Sequence, residues 1–137
     1  MADTGEIPAS YRKLLTDPVT VALITMMPDG QPQATPVWCD YDGTHIIINA
    51  AIGRQKDTNI RRNPKVTVLA MDPENPYQYL EVRGVVEEIV VDETGDNMNA
   101  LSMQYRGIPK RYGIEAPPKE VETRVYYRIK PLRVIAH

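Results

Sequence analysis

The chain predicts a mainly β domain built as a closed or half-open antiparallel barrel, and three observations carry that expectation. Six or seven β-branched and aromatic runs, bounded by turn residues, are spread along 137 residues, and such runs read as strands. Two junctions between them, Asp29-Gly30 and Asp42-Gly43, are the Asp-Gly pairs that suit tight hairpins. The first strands lie too close together for crossover helices, which disfavours a parallel nucleotide-binding sheet.

Each element follows from local chemistry. Pro8 to Leu15 reads as a short helix, with Pro8 tolerated in its first turn and Asp17-Pro18 ending it. Val19–Met26 is a first strand, and Gln33–Tyr41 a second, in which Pro36 favours an edge or a bulge. Asp42-Gly43 turns into His45–Ala51, so the first three strands are expected to form a meander. Val66–Ala70 is a fourth strand, and Tyr77–Val91 a long one bent at Gly84. Asp92-Glu93-Thr94 can cap a helix to about Tyr105, with Met98, Leu101 and Tyr105 on one side at helical spacing. Gly107–Lys119, with three prolines, reads as an ordered loop or lid. Val121–Ile129 and Leu132–Ala136 supply the last strands, broken at Pro131.

Composition narrows the function classes. A hydrophobic content of 42%, a charged content of 25% and a net charge of −2 describe one soluble globular domain, residues 1–137. No apolar run reaches the length of a membrane span, and no hydrophobic leader opens the chain. With a lone Cys39 there is no internal disulfide, so a cytoplasmic setting is expected. His45 and His137 are too isolated for a metal site, and Ser10 and Ser102 have no nucleophile-elbow context. No catalytic residue is assignable, so an enzyme of this kind would lean on a bound cofactor. A nucleic-acid binder would show a broad basic face; here the cations are confined to one segment.

That segment, Gly53–Lys65, puts five basic residues and one acid into thirteen positions. Asp57 or Thr58 can start a helix of about two turns that Pro64 ends. Arg54 and Lys56, on an extended approach, would share one side of the backbone and meet an anion together with the helix N-terminus. Arginine grips phosphate oxygens in pairs and lysine supplies a point charge. Arg61 and Arg62 fall in the last turn, where interaction with the helix C-terminus explains them equally well. A solvated basic helix is the bland alternative for the whole segment.

The run Gly-Arg-Gln-Lys-Asp-Thr-Asn-Ile-Arg-Arg-Asn-Pro-Lys-Val resembles the phosphate-binding signature of the pyridoxamine 5′-phosphate oxidase-like, flavin-reductase split-barrel superfamily. Asp29–Trp38, Asp72–Tyr77 and Leu80–Val86 resemble its second strand, following loop and long strand in the same order. Within it the chain is most similar to the branch that binds the deazaflavin coenzyme F420. The resemblance implies a six-stranded antiparallel split β-barrel with a few short helices. It also implies a homodimer holding two cofactors at its interface. Arg54 and Lys56 would hold the cofactor phosphate, with Thr58 and Asn59 adding hydrogen bonds. Pro36, Val37 and Trp38 would lie against the ring, and Asn49, Ala50 and Ala51 would lead the strand into the phosphate site. Arg61 and Arg62 would meet the acidic tail.

A full-length pyridoxamine phosphate oxidase would carry further arginine and histidine motifs near its C-terminus; Arg133–His137 matches none. The expected function is therefore hydride transfer from reduced F420 to an unsaturated or conjugated small-molecule acceptor. An FMN-dependent reductase or oxidase of the same fold is the alternative, and a non-enzymatic flavin or tetrapyrrole carrier a third. Trp38 alone reads as packing or interface, Tyr77, Tyr79 and Tyr105 as candidate cleft residues, and Cys39 as a small buried apolar residue.

Overall fold

Alternating apolar and polar positions become seven antiparallel strands in a computed structural model that describes residues 5–107 and 122–137. In chain order they are β1 (Val21–Met26), β2 (Pro32–Val37), β3 (Asp40–Tyr41), β4 (Ile46–Ala51), β5 (Lys65–Met71), β6 (Tyr79–Val91) and β7 (Arg124–Ala136). Three short helices accompany them: α1 (Lys13–Thr16), α2 (Gln55–Arg62) and α3 (Asp96–Arg106). The sheet order is β2-β1-β5-β6-β7-β4-β3.

The expected second strand, Gln33–Tyr41, is two strands and the two expected last strands are one, which leaves seven where the resemblance implied six. Val37 ends β2 at one sheet edge, and Asp40 begins β3 at the opposite edge, with only Trp38 and Cys39 between them. Two residues span little distance, so the edges must curl towards each other, and the sheet is a split barrel. The meander is thus interrupted: β2 pairs with β1 and β3 with β4, on either side of the split. The prolines Pro32 and Pro36 sit on an edge strand, where a missing N–H costs no ladder bond.

The interior is built from β-branched side chains at period two. Val21 and Leu23, Val66 and Val68, Leu80 and Val82, and Val125, Tyr127 and Ile129 join Ile46 and Ile48 in one buried cluster, closed by Leu14, Leu15 and Ile60. Burying each such side chain contributes on the order of 1.5–3 kcal/mol. Cys39 is wholly buried in this cluster, and burial pushes its thiol up to about 12.

The long strands depart from expectation in one respect. Pro131 does not break β7. The β6–β7 register shifts between Arg83 and Gly84, Gly84 faces Pro131, and Leu132 is left without a partner, so the bulge absorbs the proline. Gly84 has to be glycine, since a Cβ there would lie 2.6 Å from the Lys130 carbonyl oxygen. Tyr77 lies outside β6 and is exposed. At the N-terminus the expected helix is a 3-10 turn, Ala9–Tyr11, followed by α1. The expected lid falls almost wholly on residues 108–121, outside the described residues. Among those described, no helix is long and apolar enough to cross a membrane, and no group of three His, Cys, Asp or Glu side chains is placed to hold a metal ion.

Candidate functional site

At the split between the sheet edges lies a cavity of about 320 Å³. Its walls come from both sides: Pro36, Val37 and Trp38 from the β2 edge, Asn49 from β4 and Arg124 from the start of β7. Arg54 and Lys56 from α2, Met98 and Leu101 from α3, and Thr20 complete it. One part of the lining is cationic and another apolar.

The cationic part depends on where α2 begins. Asp57 or Thr58 was expected at its N-cap; the residue found there is Arg54, so the helix starts at least three residues earlier. Gly53, at φ +92°, makes the turn that delivers Arg54 from β4, a conformation costly for a residue with a Cβ. Lys56 is consequently in the first helical turn and not on an extended approach, yet it and Arg54 still line one cavity. Burial, then Arg54 and Arg124, press the Lys56 ammonium's pKa below its ordinary value. Three cations crowd one wall.

A single carboxylate organises two of them. Arg54 Nη2 donates to Glu122 Oε1 at 2.9 Å, and Arg124 Nη1 lies 3.2 Å from Glu122 Oε2. Arg124 Nε also donates to Asn49 Oδ1 at 2.9 Å. The Asn49 amide in turn donates to Asp92 Oδ2 (3.0 Å) and Asn97 Oδ1 (2.9 Å). Asp92, buried, accepts from the amides of Asn97 and Met98 in the first turn of α3. Gly95 holds the N-cap position without a side-chain bond, while Asp92, from the expected capping run, meets the first-turn amides from outside the helix and ties α3 to β4.

The apolar part is held by Tyr105. Its ring stacks on Trp38, with centroids 5.2 Å apart and 16° between the planes. The Tyr105 hydroxyl donates to the Val19 carbonyl at 2.7 Å and accepts the Cys39 N–H at 3.1 Å. Burial raises its pKa, so it stays a neutral phenol. The broken segment between β2 and β3 is thus pinned to α3, and Trp38 presents itself to the cavity with one face already covered.

The residues named from the sequence divide into three groups. Pro36, Val37, Trp38, Asn49, Arg54 and Lys56 line the cavity. Ala50 and Ala51 lie buried beside it on β4, leading towards Arg54. Thr58, Asn59 and Arg61 point elsewhere. Thr58 is exposed. Asn59 is fully buried, its amide donating to Thr25 Oγ1 (3.0 Å) and Gln33 Oε1 (3.3 Å) while Gln55 donates back to its carbonyl (2.8 Å). Arg61 Nε pairs with Asp57 Oδ2 at 2.9 Å, and the buried Asp57 also accepts the Tyr127 hydroxyl at 2.7 Å. Arg62 donates to the Met26 carbonyl.

Thr20, Met98, Leu101 and Arg124 were missed as cavity residues. The helical spacing of Met98 and Leu101 was visible, but spacing alone does not separate a cavity wall from core. Arg124 sits opposite Ala51 in the β4–β7 ladder, a pairing that no local signal announces. Other sequence candidates lie away from the cavity. His45 Nε2 pairs with Glu87 at 2.6 Å, and Tyr79 stacks on His137.

Comparisons with known proteins agree with the fold. The pyridoxamine 5′-phosphate oxidase family profile matches residues 7–136. A solved F420 reductase is 38% identical, with a TM-score of 0.83, over 94% of this chain and 98% of that one. A conserved hypothetical protein from Mycobacterium tuberculosis is 27% identical, with a TM-score of 0.74, over 99% and 87%. No curated protein matches.

Proposed function

The chain belongs to the pyridoxamine 5′-phosphate oxidase family, and from that premise we propose an oxidoreductase that uses reduced coenzyme F420 to reduce an unsaturated or conjugated small-molecule acceptor. One observation carries the reading: the cavity joins three cationic side chains to an apolar wall. That donor set fits a ligand with a phosphate at one end and a flat heterocycle at the other. The 38% identity to an F420 reductase favours the deazaflavin over FMN, whose phosphate would meet the same cations.

In this reading Arg54 and Arg124 offer guanidinium donors to the phosphate and Lys56 adds a point charge. Asn49 holds Arg124 in place through the bond to its Nε. Pro36, Val37, Met98 and Leu101 pack against the ring and keep water from one side of it. Trp38, backed by Tyr105, gives that wall a fixed position. The bound deazaflavin supplies the hydride, and the protein's contribution is orientation and exclusion of water. Ala50 and Ala51 bring the β4 main chain up to the phosphate. Arg61, half exposed beyond the helix start, and Arg62 are available to the acidic tail, and Thr58 to a tail or solvent contact. The cavity opens at the split, which suits a homodimer whose second chain covers the cofactor.

Titration of the purified protein with F420 and with FMN, followed by ligand absorbance and mass after release, tests the proposal. F420 should bind more tightly, and its reduced form should be oxidised when an acceptor is added. Tight FMN binding with none of F420 would replace the cofactor, and binding without turnover of any acceptor would leave a carrier.

A further inference from the structure

The anion wall contains its own anion. Glu122 is 14% exposed at the side chain, and each of its carboxylate oxygens takes one guanidinium, Arg54 through Oε1 and Arg124 through Oε2. Those are two of the three cations that line the cavity. A phosphate drawn to these cations therefore shares them with a fixed negative charge. The attraction of Arg54, Lys56 and Arg124 and the repulsion of Glu122 both scale with the ligand's charge. The repulsion from Glu122 therefore differs in size between ligands of equal shape and unequal charge.

Resting on the reading that this cavity takes a phosphorylated cofactor, we infer that Glu122 is a charge filter that handicaps a doubly charged phosphate monoester relative to a singly charged phosphodiester. The chemistry corresponds to the two cofactors in question: FMN ends in a monoester, whereas the phosphate of F420 is esterified on both sides. A monoester has a second pKa near 6 and is a dianion above it. The repulsion it meets from Glu122 is therefore twice that met by a diester in the same place. Glu122 is then a specificity-determining residue that acts without touching the ring.

A pair of probes that differ only in phosphate charge isolates the effect: riboflavin 5′-phosphate and its phosphate methyl ester. Both are titrated at pH 8 and low salt into the unaltered protein and into Glu122→Gln, with flavin fluorescence quenching as the readout. The isosteric substitution should tighten the methyl ester about threefold and the dianionic monoester about tenfold, because the logarithm of the change follows ligand charge. The gap should narrow as salt screens the carboxylate. Glu122→Ala serves as a second variant and should shift the two probes in the same order. Equal factors for the two probes, or weaker binding of both, would overturn the filter and leave Glu122 as a strut for the arginines. Failure of both probes and of F420 to bind the unaltered protein would overturn the phosphate-site reading together with the filter. Equal shifts on a background of good binding overturn the filter alone.

Discussion

The two sides of α2 hold the same kinds of residue and put them to opposite uses. On the cavity side, Arg54 and Lys56 face open space, and Arg54 shares the Glu122 carboxylate with Arg124. On the barrel side, Asp57 and Asn59 are buried and their polar atoms are met by protein: Tyr127 and Arg61 for the acid, Thr25, Gln33 and Gln55 for the amide. Eight residues of helix thus carry both a prospective binding surface and a structural anchor. A polar residue answered inside the protein supports the fold; one left facing a cavity is available to a ligand. Type and spacing along the chain do not separate the two.

The largest test of this contrast lies on the barrel side. Asp57→Ala should cost about 3–5 kcal/mol of stability, since it strands the Tyr127 hydroxyl and removes the partner of Arg61; chemical denaturation would read it. A loss below about 1 kcal/mol would mean the anchor is not one. On the cavity side, the Arg54→Ala and Lys56→Ala double variant should weaken cofactor binding by about hundredfold, with the denaturation midpoint almost unmoved. Unchanged affinity there would remove the phosphate site. Asn59→Ala sharpens the boundary: about 1–3 kcal/mol of stability should go while affinity per folded molecule stays the same. Were affinity to fall instead, the amide would belong with the ligand.

The smallest effect concerns Cys39, on the pinned segment beside the cavity, and appears only in alkali. Its folded pKa of about 12 lies above the ordinary 9.0. Above pH 9 the unfolded chain therefore holds fewer protons than the folded one, and stability falls as pH rises towards 12. Stability measured at pH 8 should match that at pH 7 as far as this thiol is concerned, and be lower at pH 10.5. Tyr105 and Tyr127, also raised by burial, push the same way. Ready modification of the thiol by alkylating reagents at pH 7 in the native state would contradict its burial.

Much of this was legible in advance. The strand runs, both Asp-Gly turns, the basic segment and the family resemblance were all local patterns, and six of the twelve named site residues line the cavity. The misses have a common cause. Thr58, Asn59 and Arg61 stand in the same short run as Arg54 and Lys56, but a helix turns by about 100° per residue and sends neighbours to different surroundings. The helix start was misplaced because Asp57 is a good N-cap residue in general, while here a buried tyrosine claims its carboxylate. Arg124 and Glu122 enter from the far end of the chain, through the β4–β7 ladder.

The sequence by itself determined an antiparallel barrel with a cationic segment after its β4 run, because alternation, turn residues and charge are written residue by residue. Only the tertiary structure decided that the second strand splits at Trp38-Cys39 and that the two sheet edges meet there around a cavity. It also decided which cations of the segment face that cavity and that Glu122 sits among them. Those outcomes depend on pairing between residues far apart in the chain, where a single residue's neighbours are chosen by register and curl and not by its place in the sequence.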